Sequence, residues 1–297
     1  MSSVYLFASG KGGVGKSTIT ANLAVLLARA GRKVVLIDAD VGLRSQDALL
    51  GLEDLVVYDL VDVAGGRCLL SQALLSLPDL PTLRLLPAAQ FARARDLDPK
   101  KLRKILSLLR RNYDLILIDC PAGIERGLRN VLNAGADETV LVVTADDLCL
   151  RDAEKTCALI EEKKLPRPWL IVNRLRNDMI HGGLMYSART AADVLDLPLL
   201  GEIPEDEAVT VAQLKHALFI DFACESREAL IRIAARIGGA SVPFPSYGTQ
   251  KTSFFRRHFP RKVKEAPLTD IHLPSVGMRQ ADQSPPREAE TKEVEDE

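Results

Sequence analysis

"VYLFASGKGGVGKSTITANLAVLLARAG", residues 4–31, joins a strand signal, a glycine-rich loop and a helix signal without a spare residue. Val4–Ala8 is a short apolar run. Ile19, Leu23, Leu26, Leu27 and Ala30 recur at helical spacing, and Gly31 follows as a natural stop. Between them, Gly10 to Ser17 satisfy G-x-x-x-x-G-K-[ST]. Such a loop wraps phosphates with its backbone N–H groups, at the positive end of the helix that follows. Lys16 is then the residue that reaches the β- and γ-phosphates, and Ser17 the hydroxyl that ligates Mg²⁺. Gly12, Gly13, Val14, Gly15 and Thr18 complete the predicted nucleotide cradle.

Outward from this loop, apolar runs alternate with helical patterns. Strands are expected at Val4–Ala8, Val34–Asp38, Leu83–Leu86, Leu115–Asp119, Thr139–Thr144, Trp169–Asn173 and Leu199–Ile203. Runs such as "LILID" and "VLVV" show no polar alternation, as expected of strands covered on both faces. "PKKLRKILSLLRR" places Leu102, Ile105, Leu106 and Leu109 on one helical face, with basic residues opposite. The pattern predicts an α/β fold: a doubly wound, mostly parallel sheet with helices on both faces, of the P-loop NTPase type. Its expected extent is 1–239. A Gly/Pro/Ser-rich linker is expected at 240–250, a basic amphipathic segment at 251–264 and a disordered acidic tail at 265–297.

Bulk properties narrow the function. The chain has 297 residues and a formal net charge of −1, so no global basicity points to nucleic acid. No apolar run approaches the roughly 20 residues of a spanning helix, and no signal peptide is evident at the start. A cytoplasmic protein is expected. The five cysteines form no C-x-x-C pair and read as buried small apolar residues.

Two further strand ends carry acids. Asp119 closes "LILID", where ligands of open α/β sheets bind, and is a natural outer carboxylate for Mg²⁺. Asp38 and Asp40 close "VVLIDAD" and lie two residues apart. A carboxylate there can orient or deprotonate an attacking water. Lys11 is surplus to simple phosphate binding. It can lie along the phosphates of its own chain, or point outward into a second molecule docked face to face.

"KGGVGKST" resembles the deviant phosphate-loop signature of the MinD/ParA ATPases. The resemblance is closer to the MinD branch, the septum-site-determining ATPases. It extends through "IDADVGLRSQD", "VVYDLVDV", "LLPAAQ", "DCPAGIERG", "LRDAEK", "IVNR" and "IPEDEAV", in order, over residues 1 to about 215. It implies an ATP- and Mg²⁺-dependent switch that dimerises on ATP, attaches reversibly to the inner face of the cell membrane and places the division site. Lys11 would then cross the dimer interface to the partner's phosphates, and Lys16 would hold phosphate within the chain. Asp40 would position the attacking water, Asp38 and Asp119 would serve Mg²⁺, and Asn173 with Arg174 would meet the adenine. Arg44 and Asp152 would lie where a MinC-type inhibitor and a MinE-type activator bind. Ser45 stands where the family usually has Asn, Cys120 where it usually has Ser. The chain also runs on for about thirty residues past the segment at which the family usually ends.

That segment, "KTSFFRRHFPRKVK", carries six Lys or Arg and no acid. Phe255, Phe259 and Val263 share a helical face with Phe254 at its margin, beside Arg256 and Arg257. An exposed Phe and basic pattern of this kind reads as an interfacial anchor for anionic lipid, although Pro260 interrupts the helix. Other readings are a ParA-like DNA-binding ATPase, a flagellar-number ATPase of the FlhG type, an iron–sulfur carrier and a non-hydrolysing scaffold. The first needs a basic surface on the folded domain, the second a Gln-rich motif before the first strand, and the third a C-x-x-C pair.

Overall fold

The computed structural model describes residues 2–245. The expected membrane segment, the acidic tail and residues 246–250 of the linker lie outside the described residues. Among the described residues eight strands form one sheet: β1 (Ser3–Ala8), β2 (Val34–Asp38), β3 (Leu75–Leu77), β4 (Leu80–Leu86), β5 (Leu115–Asp119), β6 (Glu138–Thr144), β7 (Trp169–Leu175) and β8 (Leu199–Pro204). Their order is β3-β4-β2-β5-β1-β6-β7-β8. All neighbours are parallel except β3 and β4. Every expected strand is present. The eighth, β3, was not expected: it is three residues long, partly exposed, and turns back onto β4 through Pro78 and Asp79. A run that short carries no periodicity to read.

The helix Lys16–Arg29 connects β1 to β2 and packs across β2, β4 and β5, beside the helix Glu225–Ile237. After β4 the chain reverses direction in the sheet, stepping back across β2 to β5 and then across β1 to β6, β7 and β8. Right-handed crossovers in opposite senses place their helices on opposite faces. Arg126–Ala134, Asp147–Glu162 and Ala188–Leu195 therefore cover the other face. The core sits in the strands: β2 and β5 are buried throughout, and Leu102, Ile105, Leu106 and Leu109 of the helix Pro99–Leu109 are buried as expected.

The reversal beside β1 brings the carboxyl ends of β1, β2 and β5 together. There a loop-bound ligand meets strand-end acids. Asp38 and Asp119 pair in register on adjacent strands. At the far edge, the buried Arg236 donates to the carbonyls of Leu200, Val242 and Pro243 at 2.8, 3.1 and 3.1 Å. The Phe244 ring lies 3.9 Å from its guanidinium carbon. The chain beyond the last helix is thus strapped to β8. Among the described residues no helix is long and apolar enough to cross a membrane.

Candidate nucleotide site

The loop 9–15 leaves β1 and enters the helix at Lys16. Gly15 caps that helix in the left-handed region, φ 91, and no side chain caps its first turn. The helix N–H groups therefore keep their capacity for an anion. Glycine is required here for a second reason: a Cβ on Gly15 would collide with the Asn173 amide. Gly10 is equally constrained, because a Cβ there would run into the backbone of Asp152. The loop is thus seated between the end of β7 and the first half of the helix Asp147–Glu162. Gly12 and Gly13 are exposed, with open space over their Cα atoms.

The two lysines are separated by environment. Lys16 is buried and its Nζ lies 2.5 Å from Asp119 Oδ1. Burial alone would depress its pKa, but the Asp119 carboxylate outweighs that and raises it. Lys11 is exposed at the tip of the loop. Its charge reaches Asp146, the N-cap of the helix Asp147–Glu162. Burial pushes the Asp146 pKa up, but bonds from Thr144 and the Cys149 N–H, with Lys11, bring it below its ordinary value.

The acids also differ. Asp38 is buried and accepts backbone N–H bonds from Asp40, Ser45 and Gln46 at 3.0, 2.8 and 3.0 Å. Burial and the neighbouring Asp119 still push its pKa up to about 7. Asp40 is half-buried at the rim of a cleft of about 310 Å³ formed with Pro121, Ala122 and Glu125. Burial raises its pKa, Lys16 opposes and Asp119 adds. A carboxylate so tuned is better suited to take a proton near neutral pH.

Gln46 was not expected at the site. It is buried, and its Nε2 lies 2.6 Å from Asp119 Oδ2 and 3.2 Å from the Ser17 carbonyl. Nothing in its spacing from Asp38 announces that the chain folds back there.

Asn173 donates to the Val14 carbonyl at 2.8 Å, so it supports the loop as well as facing the pocket beside it. That pocket, about 120 Å³, is lined by Gly15, Thr18, Asn173, Arg174 and Gln213, among others. The register of β7 on β8 shifts between Val172 and Leu175, and Arg174 sits there at φ 57. The bulge turns an exposed Arg174 toward the pocket. Arg44 is not held out toward solvent as a free charge: its Nε lies 2.6 Å from the buried Asp47. Asp152 pairs with Lys155 at 2.9 Å. Neither belongs to the acid cluster around Lys16.

A nucleotide with Mg²⁺ fits what is present. The helix end is uncapped, a buried ammonium stands beside it, and the Ser9 and Ser45 hydroxyls are buried without a hydrogen-bond partner among the described residues. Among those residues no three His, Cys, Asp or Glu side chains converge on a metal position. The hard donors are the Ser17 hydroxyl and two carboxylates, which suits a cation that also takes phosphate oxygens and water.

The description of one family model, the CobQ/CobB/MinD/ParA nucleotide binding domain, matches residues 5–219. The chain belongs to that family. Within it, the chain is 39% identical over 259 residues to the septum site-determining protein MinD of Synechocystis sp., covering 86% of this chain and 97% of that one. It resembles the MinC:MinD cell division protein complex of Aquifex aeolicus, with a TM-score of 0.74 and 36% identity, over 83% of this chain and 100% of that one. It also resembles MinD of Pyrococcus horikoshii complexed with Mg-ADP, with a TM-score of 0.71 and 31% identity, over 80% and 96%. The fold is therefore that of the MinD/ParA ATPases, and the MinD members are septum-site-determining proteins.

Proposed function

We propose that this chain is a septum-site-determining ATPase that dimerises on ATP, attaches to the inner face of the membrane as a dimer, and is released by hydrolysis. The observation that carries the reading is the contrast between its two loop lysines: Lys16 is buried against Asp119, whereas Lys11 is exposed at the loop tip. A lysine that served only its own chain's phosphates would not need that exposure.

Phosphate would draw Lys16 away from Asp119. Ser17, Asp119 and Asp38 would hold Mg²⁺, which neutralises charge on the phosphate oxygens. Asp40 orients the attacking water and can accept its proton. Asn173 and Arg174 border the pocket assigned to adenine. Lys11 of a second copy supplies the remaining positive charge, so hydrolysis is slow until the copies meet and a partner closes the site. The MinC:MinD complex of Aquifex aeolicus supports a MinC-type inhibitor as one partner; a MinE-type activator is the other, and the surface around Arg44 and Asp152 is the proposed contact.

Attachment is assigned to residues 251–264, with Phe254, Phe255, Phe259, Arg256 and Arg257. One buried Phe ring contributes roughly 1.5–3 kcal/mol, and each basic residue near anionic lipid about 1 kcal/mol. Ordering the segment offsets much of this. One copy then binds weakly, and two copies on one dimer bind through avidity.

The test is light scattering with ADP and with ATP, followed by sedimentation with anionic liposomes. The native chain should dimerise and sediment only with ATP. Lys11→Ala should bind ATP yet remain monomeric, and Phe255→Asp should dimerise yet stay in the supernatant. A Lys11→Ala protein that dimerises normally removes the cross-interface role.

A further inference from the structure

Asp119 has two holders in this structure. Lys16 takes Oδ1 at 2.5 Å and Gln46 takes Oδ2 at 2.6 Å. An ionised carboxylate only accepts, so the Gln46 amide presents its nitrogen there and not its oxygen. The same Nε2 reaches the Ser17 carbonyl at 3.2 Å, and the Gln46 backbone N–H reaches Asp38 Oδ2 at 3.0 Å. One residue therefore touches the ends of β2 and β5 and the first turn of the phosphate-binding helix. Gln46 itself is fully buried, and its Oε1 has no hydrogen-bond partner among the described residues.

We infer that Gln46 is the positioning residue of the Mg²⁺ site: it holds Asp119 in orientation once Lys16 has moved to phosphate. The inference rests on the nucleotide site proposed above. Lys16 cannot serve both phosphate and Asp119 Oδ1 fully, so the departure of Lys16 leaves Gln46 as the remaining side-chain donor to Asp119 among the described residues. A neutral amide is suited to this. It fixes the carboxylate without adding a positive charge that would oppose a divalent cation, and it leaves Oδ1 for the cation's coordination shell. Groups that orient a metal's carboxylates from behind set its affinity strongly. The free acceptor Oε1 adds a place for a donor such as a hydroxyl or metal-bound water. Because the N–H groups of Ser45 and Gln46 both bind Asp38, the loop 41–45, with its exposed Leu43, is anchored at the same point.

The experiment uses the full chain and a fluorescent ATP analogue, titrated once with Mg²⁺ and once with EDTA. Gln46→Met keeps length and approximate volume and removes the donor; Gln46→Leu removes it with a different shape. Both variants should bind the analogue in EDTA within about twofold of the native chain. Both should lose about tenfold or more of the gain that Mg²⁺ confers, with the half-saturating Mg²⁺ concentration rising in step. A single cooperative melting transition in EDTA, lowered only by the loss of one donor to the buried Asp119, accompanies that result. If affinity falls equally with and without Mg²⁺, or the Mg²⁺ gain is intact in both variants, Gln46 is only packing and the inference is overturned. If the native chain binds no analogue in either condition, it is the nucleotide site that fails, a result distinct from either of these.

Discussion

Lys16→Ala should do more than abolish nucleotide binding. Without nucleotide the Lys16 side chain is 5% exposed and its partner Asp119 is fully buried. Removing one member of such a pair leaves an uncompensated buried charge, which costs about 3–5 kcal/mol. Gln46 continues to donate to Asp119, which favours the lower end, about 3 kcal/mol. For a folded unit of this size each kcal/mol moves Tm by about 2–4 °C, so the variant should melt about 6–12 °C below the native chain in EDTA. Lys16→Ala combined with Asp119→Asn removes the stranded charge as well. The double variant should recover most of the lost stability while still failing to bind ATP. Differential scanning fluorimetry without nucleotide, beside an ATP-binding titration, reads both quantities. Two results refute the reasoning: a single variant that melts within about 2 °C of the parent, or a double variant no more stable than the single. Either would mean that Asp119 is not balanced by Lys16 in the nucleotide-free protein.

Asp40→Ala should keep ATP binding and ATP-driven dimerisation but slow single-turnover hydrolysis by roughly 10²–10⁴-fold; an unchanged rate would dismiss Asp40 as the water-orienting group. Gly10→Ala should lower nucleotide affinity by about tenfold or more, because the new methyl group displaces the loop from the Asp152 backbone; a titration showing native affinity would mean that the loop yields freely. Asp38 gives a pH signature. Folded, it holds its proton up to about pH 7, whereas an unfolded aspartate releases it near its ordinary value of 3.8. The folded state thus binds more protons between those values, and stability without nucleotide falls as pH rises through that window and levels above it. Asp38→Asn should flatten the slope, which amounts to at most about 4 kcal/mol. Urea denaturation in EDTA from pH 5 to pH 8 measures it, and an identical slope in the variant would count against the buried Asp38 charge.

Much of this architecture is legible in the linear chain because its signals are local. The loop from Gly10 to Ser17 carries its own geometry, and strands covered on both faces announce themselves as unbroken apolar runs. Asp38 and Asp119 were legible as strand ends, but not as in-register neighbours, since strand order is a long-range property. Gln46 was illegible for the same reason: its partners lie 29 and 73 residues away. Arg44 shows the opposite case. It was expected on a partner-binding face, and its pairing with Asp47 had an available signal in the i,i+3 spacing. Asn173 was expected against the base; its bond to the Val14 carbonyl depends on how β7 approaches the loop, which no spacing reveals.

The strap at Arg236 bears on where the chain can be cut. Composition changes after residue 239, and a shortened protein ending there would look natural on the page. It would also remove the carbonyls of Val242 and Pro243 and the Phe244 ring, taking two acceptors from the guanidinium of the buried Arg236, which keeps its bond to the Leu200 carbonyl. Each buried donor left without an acceptor costs about 1–3 kcal/mol. An end after Pro245 keeps the strap whole. A comparison of membrane binding between long and short forms is therefore clean only with the later cut, because the earlier one would loosen the β8 edge and mimic a loss of lipid attachment by unfolding.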